Sequence, residues 1–522
     1  MERTIPNLLD AAVEAAGAKT WLLHEDRSFT YEEAAAQVRA GAAGLAARGV
    51  GRGDLVLATM RNTPEYLFTW LALMRLGAIL VAANPAGSES ELAGLLAQTE
   101  PRLVVRDSDV DGLFKGRGAG GGTEAVPPGP GLRPEDPAVL IPTSGTTGRS
   151  KLVTQTHLAY VMAGEGFPWW LELTENDRLM TSLPLFHINA PAYSVLGSLT
   201  ARASLVLLPR FSPSTFLDFA RRYGATEFNA IGAMLEMLMR QPERPDDADN
   251  PVRLCYTGPS PTKERQLEIE ARFGFRIVCG YALSESPYGL IWRHGTRPYG
   301  TLGSIRQHPT LGEVNEGRVL IDGRPAQPGE VGELELRNPA VMKGYWGMPE
   351  ETDRVLRPDG WLRTGDLVEV GADGTFTFVG RQKEVIRRRG ENLAPGEVED
   401  ALAAHPDVVE AAVIGVPSEL SEEEVKAFVV LRGAPAGTSG SGGAKEPGRR
   451  ADLAALHDFL GRRLTRFKVP RYLEVVDELP HTPTGRVAKH QLSRDRTPQE
   501  WDAEAVPGGA GVSPEMSEGS AS

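Results

Sequence analysis

Along residues 1–110 the apolar positions follow two rhythms. Short solid runs at 54–59 (DLVLAT) and 78–83 (AILVAA) read as buried strands, and 63–76 between them reads as a helix. Thr30-Tyr31-Glu32-Glu33 opens like a capping box, ahead of an alanine-rich helix running through Arg48. The alternation resumes past Thr156, where a helix begins. Apolar 179–184, a strand at 203–208, a helix at 213–223 and a strand at 254–257 follow, the last ending in the turn 258–261. Such βα alternation predicts a mainly parallel, helix-covered sheet. From about residue 300 to 380 the rhythm shortens. Alternating stretches 318–321, 332–337 and 375–379 lie between Gly-rich turns and predict an antiparallel or barrel-like β element. From Lys383 onward the pattern is α+β.

The fold class is therefore α/β, with a large N-terminal domain (1–382) of helix-covered sheets plus the barrel-like element. A small mobile α+β domain (383–496) and a disordered tail (497–522) complete the chain. Residues 116–136 and 433–449 are too rich in Gly and Pro to bury a core and are expected as a loose loop and a flexible insertion.

Composition changes this picture little. The 522 residues are 41% hydrophobic and 24% charged, as in ordinary globular chains. A net charge of −13 argues against nucleic acid or an anionic membrane as the main partner. Cys255 and Cys279 are the only cysteines and have no metal-ligand spacing. No apolar run reaches the roughly 18 residues of a membrane span, and the early acids Glu2, Asp10 and Glu14 do not suit a secretory signal, so a cytoplasmic protein is expected.

Candidate chemistry concentrates in Thr143-Ser144-Gly145-Thr146-Thr147-Gly148-Arg149-Ser150-Lys151, directly after the strand-like 138–141. Glycines let a backbone approach a ligand closely, hydroxyls and amide N–H groups suit phosphate oxygens, and the lysine adds a point charge. The spacing is not that of a P-loop. A plain Ser/Thr/Gly surface loop has the same composition.

Several further strings occur in a fixed order: PLFH (184–187), GYALSES (280–286), GELELRNPAVMKGYW (332–346), DGWLRTGDL (359–367), GRQKEVI (380–386), GENLAPGEVE (390–399) and PTGRVAK (483–489). Over roughly residues 20–495 the sequence resembles the adenylate-forming superfamily of acyl-CoA synthetases, adenylation domains and luciferases. Lys426-Ala427-Phe428-Val429-Val430 and Phe467-Lys468-Val469-Pro470 look most like its crotonobetaine/carnitine and medium-chain acyl-CoA ligase branch.

The resemblance implies a large domain, a small lid and a hinge at Lys383. It also implies ATP-dependent formation of an acyl-AMP anhydride with release of pyrophosphate. Thr143, Ser144, Gly145, Thr146, Thr147 and Lys151 would cradle phosphates, and Glu285, with Thr147, would hold Mg²⁺. Ser284 would keep the hydroxyl that is usually a threonine's. Tyr281, following Gly280, would stack on adenine beside the turn Gly258-Pro259-Ser260. Asp366 would grip the ribose hydroxyls with its two oxygens, and Arg381 would add a ribose or phosphate contact. His187 would lie near the acid pocket, with Asn189, Tyr193, Met234, Ser286 and Tyr288 as lining candidates by position. For each, an ordinary structural role is the plain alternative: a turn cap for Glu285, a core ring for Tyr281 and packing for His187.

Two departures stand out. The family's late catalytic lysine is Arg486 here, which keeps the charge but replaces a compact ammonium with a planar fork. Lys489 lies close by in sequence with the wrong spacing. The first glycine of the family's Gly-Gly-Glu-Asn loop is Arg389, at the end of Arg387-Arg388-Arg389. That basic run could block a CoA thiol, bind the CoA nucleotide, or form a solvated face. Phe167-Pro168-Trp169-Trp170 hints at bulky pocket walls. The expected activity is thus activation of a small acid with ATP and Mg²⁺, then transfer to an acceptor, CoA by resemblance. An ATP-dependent diazotase passing nitrite to an aryl amine is the alternative, and a non-catalytic nucleotide-binding homologue the lesser one.

Overall fold

Thr30 accepts a hydrogen bond from the amide of Glu33, whose carboxylate accepts one from the amide of Thr30, and this box starts the helix Tyr31–Ala46. Such a cap is worth about 1 kcal/mol. Thr63 and Thr156 cap the helices Pro64–Leu76 and His157–Leu171 by accepting from the amides of Tyr66 and Ala159, without the reciprocal bond. Gly77, at φ 71°, closes the helix Pro64–Leu76. The computed structural model describes residues 2–114, 131–143, 150–258, 260–388, 391–418, 423–432, 453–481, 487–497 and 499–504.

The elements read from the sequence are present within a few residues: the strands Leu55–Thr59, Ile79–Ala82, Ser204–Leu207 and Leu254–Thr257, and the helix Phe216–Tyr223. One sheet runs Leu103–Arg106, Leu55–Thr59, Ile79–Ala82, Pro137–Thr143, Lys151–Thr156; its first four strands are parallel and the last is antiparallel. A nine-stranded sheet has a parallel centre from Thr20–His24 to Arg276–Leu283 and antiparallel edges at both sides. The helix expected from Thr156 is His157–Leu171, capped by Thr156. Lys151–Thr156, for which the sequence pattern predicts no element, is a strand that pairs antiparallel with Pro137–Thr143. The Gly-rich stretch after residue 300 contributes an open sheet, in the order Arg324–Pro325, Glu316–Ile321, Val331–Arg337, Leu362–Val370, Phe376–Arg381.

The chain divides into two compact units, residues 1–364 with 368–378, and residues 365–367 with 379–522. The first has a large apolar core, in which Trp21, Tyr31, Tyr160 and Phe167 are at most 1% exposed, and two smaller apolar clusters. Burying such a ring stabilises the fold by roughly 1.5–3 kcal/mol. The second packs the helices Pro395–Ala403 and Leu453–Gly461 on the sheet Val408–Pro417, Glu423–Leu431, Tyr472–Val475, Trp501–Asp502. The last of these strands lies within the stretch expected to be disordered. It pairs with Tyr472 and Leu473, and Glu500 beside it is ion-paired with the buried Lys426 at 3.0 Å. Among the described residues no helix is long and apolar enough to cross a membrane.

His157 opens the helix His157–Leu171 fully buried, and that burial lowers its pKa to about 4. The folded state therefore holds it neutral, while the unfolded chain protonates it near 6.5. Its contribution is complete above pH 6.5 and is lost as pH falls toward 4, by about 3 kcal/mol in all. Urea melts between pH 7 and 4.5 should show this loss, and His157→Leu should flatten it. An unchanged slope would overturn the assignment.

Candidate active site

Thr143 and Lys151 face each other at the mouth of the hairpin, where the Thr143 hydroxyl donates to the Lys151 carbonyl at 3.2 Å. Residues 144–149, with Ser144, Gly145, Thr146 and Thr147, lie outside the described residues. The Lys151 ammonium sits 2.5 Å from Glu351 Oε2 and 4.9 Å from the centre of the Tyr345 ring. The Tyr345 hydroxyl donates to Glu285 Oε1 at 2.9 Å. A cation, a phenol and a carboxylate thus stand in a row. Burial and the neighbouring Glu285 push the Tyr345 phenol well above its usual range, so it remains a donor, and Lys151 holds Glu351 below the usual carboxylate range.

Backbone pairing fixes the row. The stretch 342–346 lies along the strand Lys151–Thr156, with Thr154 N to Gly344 O at 2.9 Å and Trp346 N to Leu152 O at 2.8 Å. Gly344 has φ 133°, and a Cβ there would sit 2.7 Å from Thr352 Cγ2, so glycine is required. Ser284 and Glu285 form the two-residue turn between Arg276–Leu283 and Ser286–Ile291. Gln155 Nε2 donates to the Ser284 carbonyl at 2.7 Å, and Met342 N to the Glu285 carbonyl at 2.8 Å. The GYALSES string is thus a hairpin with its acid at the tip.

At the neighbouring strand ends, a Cβ on Gly258 would meet the Gly280 carbonyl oxygen at 2.2 Å. Only glycine allows that approach. Tyr281 and Ser260 are half-buried, and the Ser260 hydroxyl donates to the Pro261 carbonyl at 3.2 Å; Pro259 lies outside the described residues. Burial raises the Cys279 thiol to about 12 and the Cys255 thiol well above its usual range, so neither is a nucleophile.

The PLFH turn is pinned by Asn62, whose side chain donates to Leu183 O at 2.9 Å and accepts from Leu185 N at 3.0 Å. His187 is half-buried against Phe186. Among the lining candidates, Asn189 is half-buried and accepts from Asn229 Nδ2 at 2.7 Å. Tyr193, Met234, Ser286 and Tyr288 are buried, at most 4% exposed. In the Phe167-Pro168-Trp169-Trp170 segment, Phe167 and Trp170 are buried and Trp169 is 44% exposed.

In the second unit Arg381 Nε lies 3.3 Å from Asp366 Oδ1, whose side chain is 6% exposed. Lys383 is exposed in the turn Gln382–Glu384. The basic run splits. Arg387 is exposed, whereas Arg388 is buried, donating to Phe467 O at 2.7 Å and Val469 O at 2.9 Å and pairing with Glu424 at 2.7 Å. Arg388 is therefore an internal clamp, neither a solvated face nor a docking cation; Arg389 and Gly390 lie outside the described residues. Lys489 is held by Glu399 at 2.8 Å and Glu384 at 3.5 Å, and Arg486 is also outside the described residues.

The family model "AMP-binding enzyme" matches residues 9–346, and "AMP-binding enzyme C-terminal domain" matches residues 397–486. The chain belongs to the AMP-binding enzyme family. A crotonobetaine/carnitine–CoA ligase of Salmonella paratyphi A is 29% identical, covering 94% of this chain and 99% of the relative. Among solved structures, ATP-bound MatB from Rhodopseudomonas palustris matches with TM-score 0.82 at 27% identity, and O-succinylbenzoate coenzyme A synthetase from Bacillus subtilis in complex with AMP with TM-score 0.81 at 27% identity. Each match covers 94% of this chain and 98% of the other.

This AMP-binding enzyme is an ATP-using, AMP-forming acid ligase of the acyl-CoA synthetase type. Sequence reasoning quoted the string holding Tyr345 without assigning it a role, and passed over Glu351 and Asn229 altogether. Nothing local marks these residues, because their partners lie 200, 60 and 40 positions away in the chain.

Proposed function

We propose that the enzyme activates a small organic acid by attack of its carboxylate oxygen on the α-phosphorus of ATP. Pyrophosphate departs, and the acyl group of the resulting anhydride passes to the thiol of CoA with loss of AMP. The observation that carries this reading is the row Lys151–Tyr345–Glu285 at the mouth of the hydroxyl-rich loop. Bringing an anionic nucleophile to a triphosphate requires charge neutralisation and alignment, and preorganised groups supply both. Lys151 would meet phosphate oxygens, exchanging the Glu351 carboxylate for them. Glu285 would bind Mg²⁺ carried in on the nucleotide. Among the described residues no cluster of three acidic, His or Cys ligands exists. One carboxylate suits a magnesium ion whose other ligands are phosphates and water. The ion would neutralise charge on the phosphate oxygens.

Asp366 would take the ribose hydroxyls, with Arg381 orienting it. The test is pyrophosphate release from ATP over a panel of carboxylic acids and nitrite, with and without CoA and aryl amines. Turnover with carboxylates and a CoA thioester product is the expected result. Turnover that demands nitrite and yields a diazonium ion would replace this reading with the diazotase alternative.

A further inference from the structure

Among the described residues, the buried arginines and lysines are Arg75, Arg306, Arg388 and Lys426, each at most 5% exposed. Three are ion-paired: Arg75 with Asp10, Arg388 with Glu424, and Lys426 with Glu474 and Glu500. Arg306 is the most deeply buried, at 0% exposure, and among the described residues none of its partners is a carboxylate. Its guanidinium donates to Leu290 O at 2.8 Å, to the Tyr193 hydroxyl at 3.1 Å and to Pro287 O at 3.5 Å, and it also contacts the Tyr256 hydroxyl. The rings of Trp170, Tyr193 and Tyr256 surround it at 4.5, 5.4 and 5.6 Å. All these groups are neutral. Burying a charge without a counter-ion is costly, and proteins ordinarily pair it.

The position of this charge matters. A Cβ on Gly280 would lie 2.9 Å from Arg306 Nη2 and 2.7 Å from the Tyr256 hydroxyl, so only a hydrogen separates the guanidinium from the backbone that begins the Glu285 hairpin. Tyr256 pairs in register with Asn229 across the parallel strands. Asn229 is 1% exposed, and its Oδ1 is a buried acceptor with no hydrogen-bond partner among the described residues. The Arg306 guanidinium contacts the Tyr256 hydroxyl, and Tyr256 and its register partner Asn229, with the unmatched amide oxygen, lie at the carboxyl ends of the parallel strands Leu254–Thr257 and Glu227–Asn229. That is where open α/β sheets bind ligands.

We propose that Arg306 recognises a second carboxylate on the acid substrate, so that the enzyme selects a dicarboxylic acid. The proposal rests on the acid-activating reading above. One carboxylate goes to the α-phosphorus. The other displaces the tyrosine hydroxyls from the guanidinium fork, whose planar geometry suits two parallel hydrogen bonds to a carboxylate. Arg306 is then a substrate-binding residue that takes no part in the bond changes.

The experiment measures pyrophosphate release by the full-length protein with matched acids: propanoate against malonate, butanoate against succinate, pentanoate against glutarate, benzoate against isophthalate. At least one diacid is expected to exceed its partner in kcat/KM by about ten- to a hundredfold, as charge-assisted hydrogen bonds allow. Arg306→Gln should cut that ratio by about tenfold or more, acting mainly through the diacid KM, and Arg306→Lys should recover part of it. Turnover of monoacids with no diacid preference in the unmodified protein overturns the proposal and leaves the activating reading standing; this comparison needs no variant to fold. A Gln variant that keeps the unmodified ratio also overturns it. Absence of pyrophosphate with every acid overturns the activating reading itself, and this inference falls with it.

Discussion

Glu285→Gln is expected to slow pyrophosphate release by on the order of a hundredfold or more, with little change in thermal stability. Glutamine keeps the shape of the side chain and can still accept the hydrogen bond that Tyr345 donates at 2.9 Å. The turn would remain in place, because Ser284 and Glu285 are tied through backbone carbonyls to Gln155 and Met342. What glutamine removes is the negative charge. A group whose task is to hold a magnesium ion against the triphosphate loses it; a group that only caps a turn loses almost nothing. The variant should also need a higher Mg²⁺ concentration for half-maximal rate, which a structural role would not change. Tyr345→Phe is the companion test. It leaves the carboxylate and removes the donor that aims it, so a loss of about tenfold is expected. An unchanged rate and Mg²⁺ dependence in Glu285→Gln would leave the residue a turn cap.

The strands and helices were legible wherever local chemistry decides the outcome. Capping threonines at 30, 63 and 156 and apolar runs such as 78–83 need no distant partner to be read. The strand Lys151–Thr156 was missed because four of the six residues in its pattern, KLVTQT, are polar. It becomes a strand by pairing with Pro137–Thr143 on one side and the 342–346 stretch on the other. The candidate site divides along the same line. Lys151, Glu285 and Asp366 could be named from strings of neighbours, whereas Tyr345 at Glu285 and Glu351 at Lys151 are tertiary facts. The buried fate of Tyr193 and Tyr288 was equally hidden. Their partners are distant in the chain: Tyr193 meets Arg306, and Tyr288 packs edge-on against Trp170. Charge misled in one place: Arg387 and Arg388 are adjacent, yet one is exposed and the other clamps Glu424 and two carbonyls.

The late-motif arginine yields the second large effect. Arg486→Ala is expected to reduce acyl-adenylate formation by about a hundred- to a thousandfold, the usual loss when one preorganised group facing developing charge is removed. The nearby Lys489 cannot take over, because it is already held by Glu399 at 2.8 Å and Glu384 at 3.5 Å. Moving it to the reacting phosphate would leave two carboxylates without their cation. Lys489→Ala should therefore change adenylation by less than about threefold, since its ammonium is engaged by Glu399 and Glu384 and takes no part at the reacting phosphate. Arg486→Lys then decides what the arginine means. If the enzyme is an acyl ligase working with a less compact cation, the lysine should raise adenylation of carboxylic acids, read as acid-dependent exchange of labelled pyrophosphate into ATP. If the planar fork is adapted to the acid it handles, the lysine should lower the rate, because a point charge cannot replace two parallel hydrogen bonds. Equal rates for arginine and lysine, together with a small effect of alanine, would remove Arg486 from the adenylation step altogether.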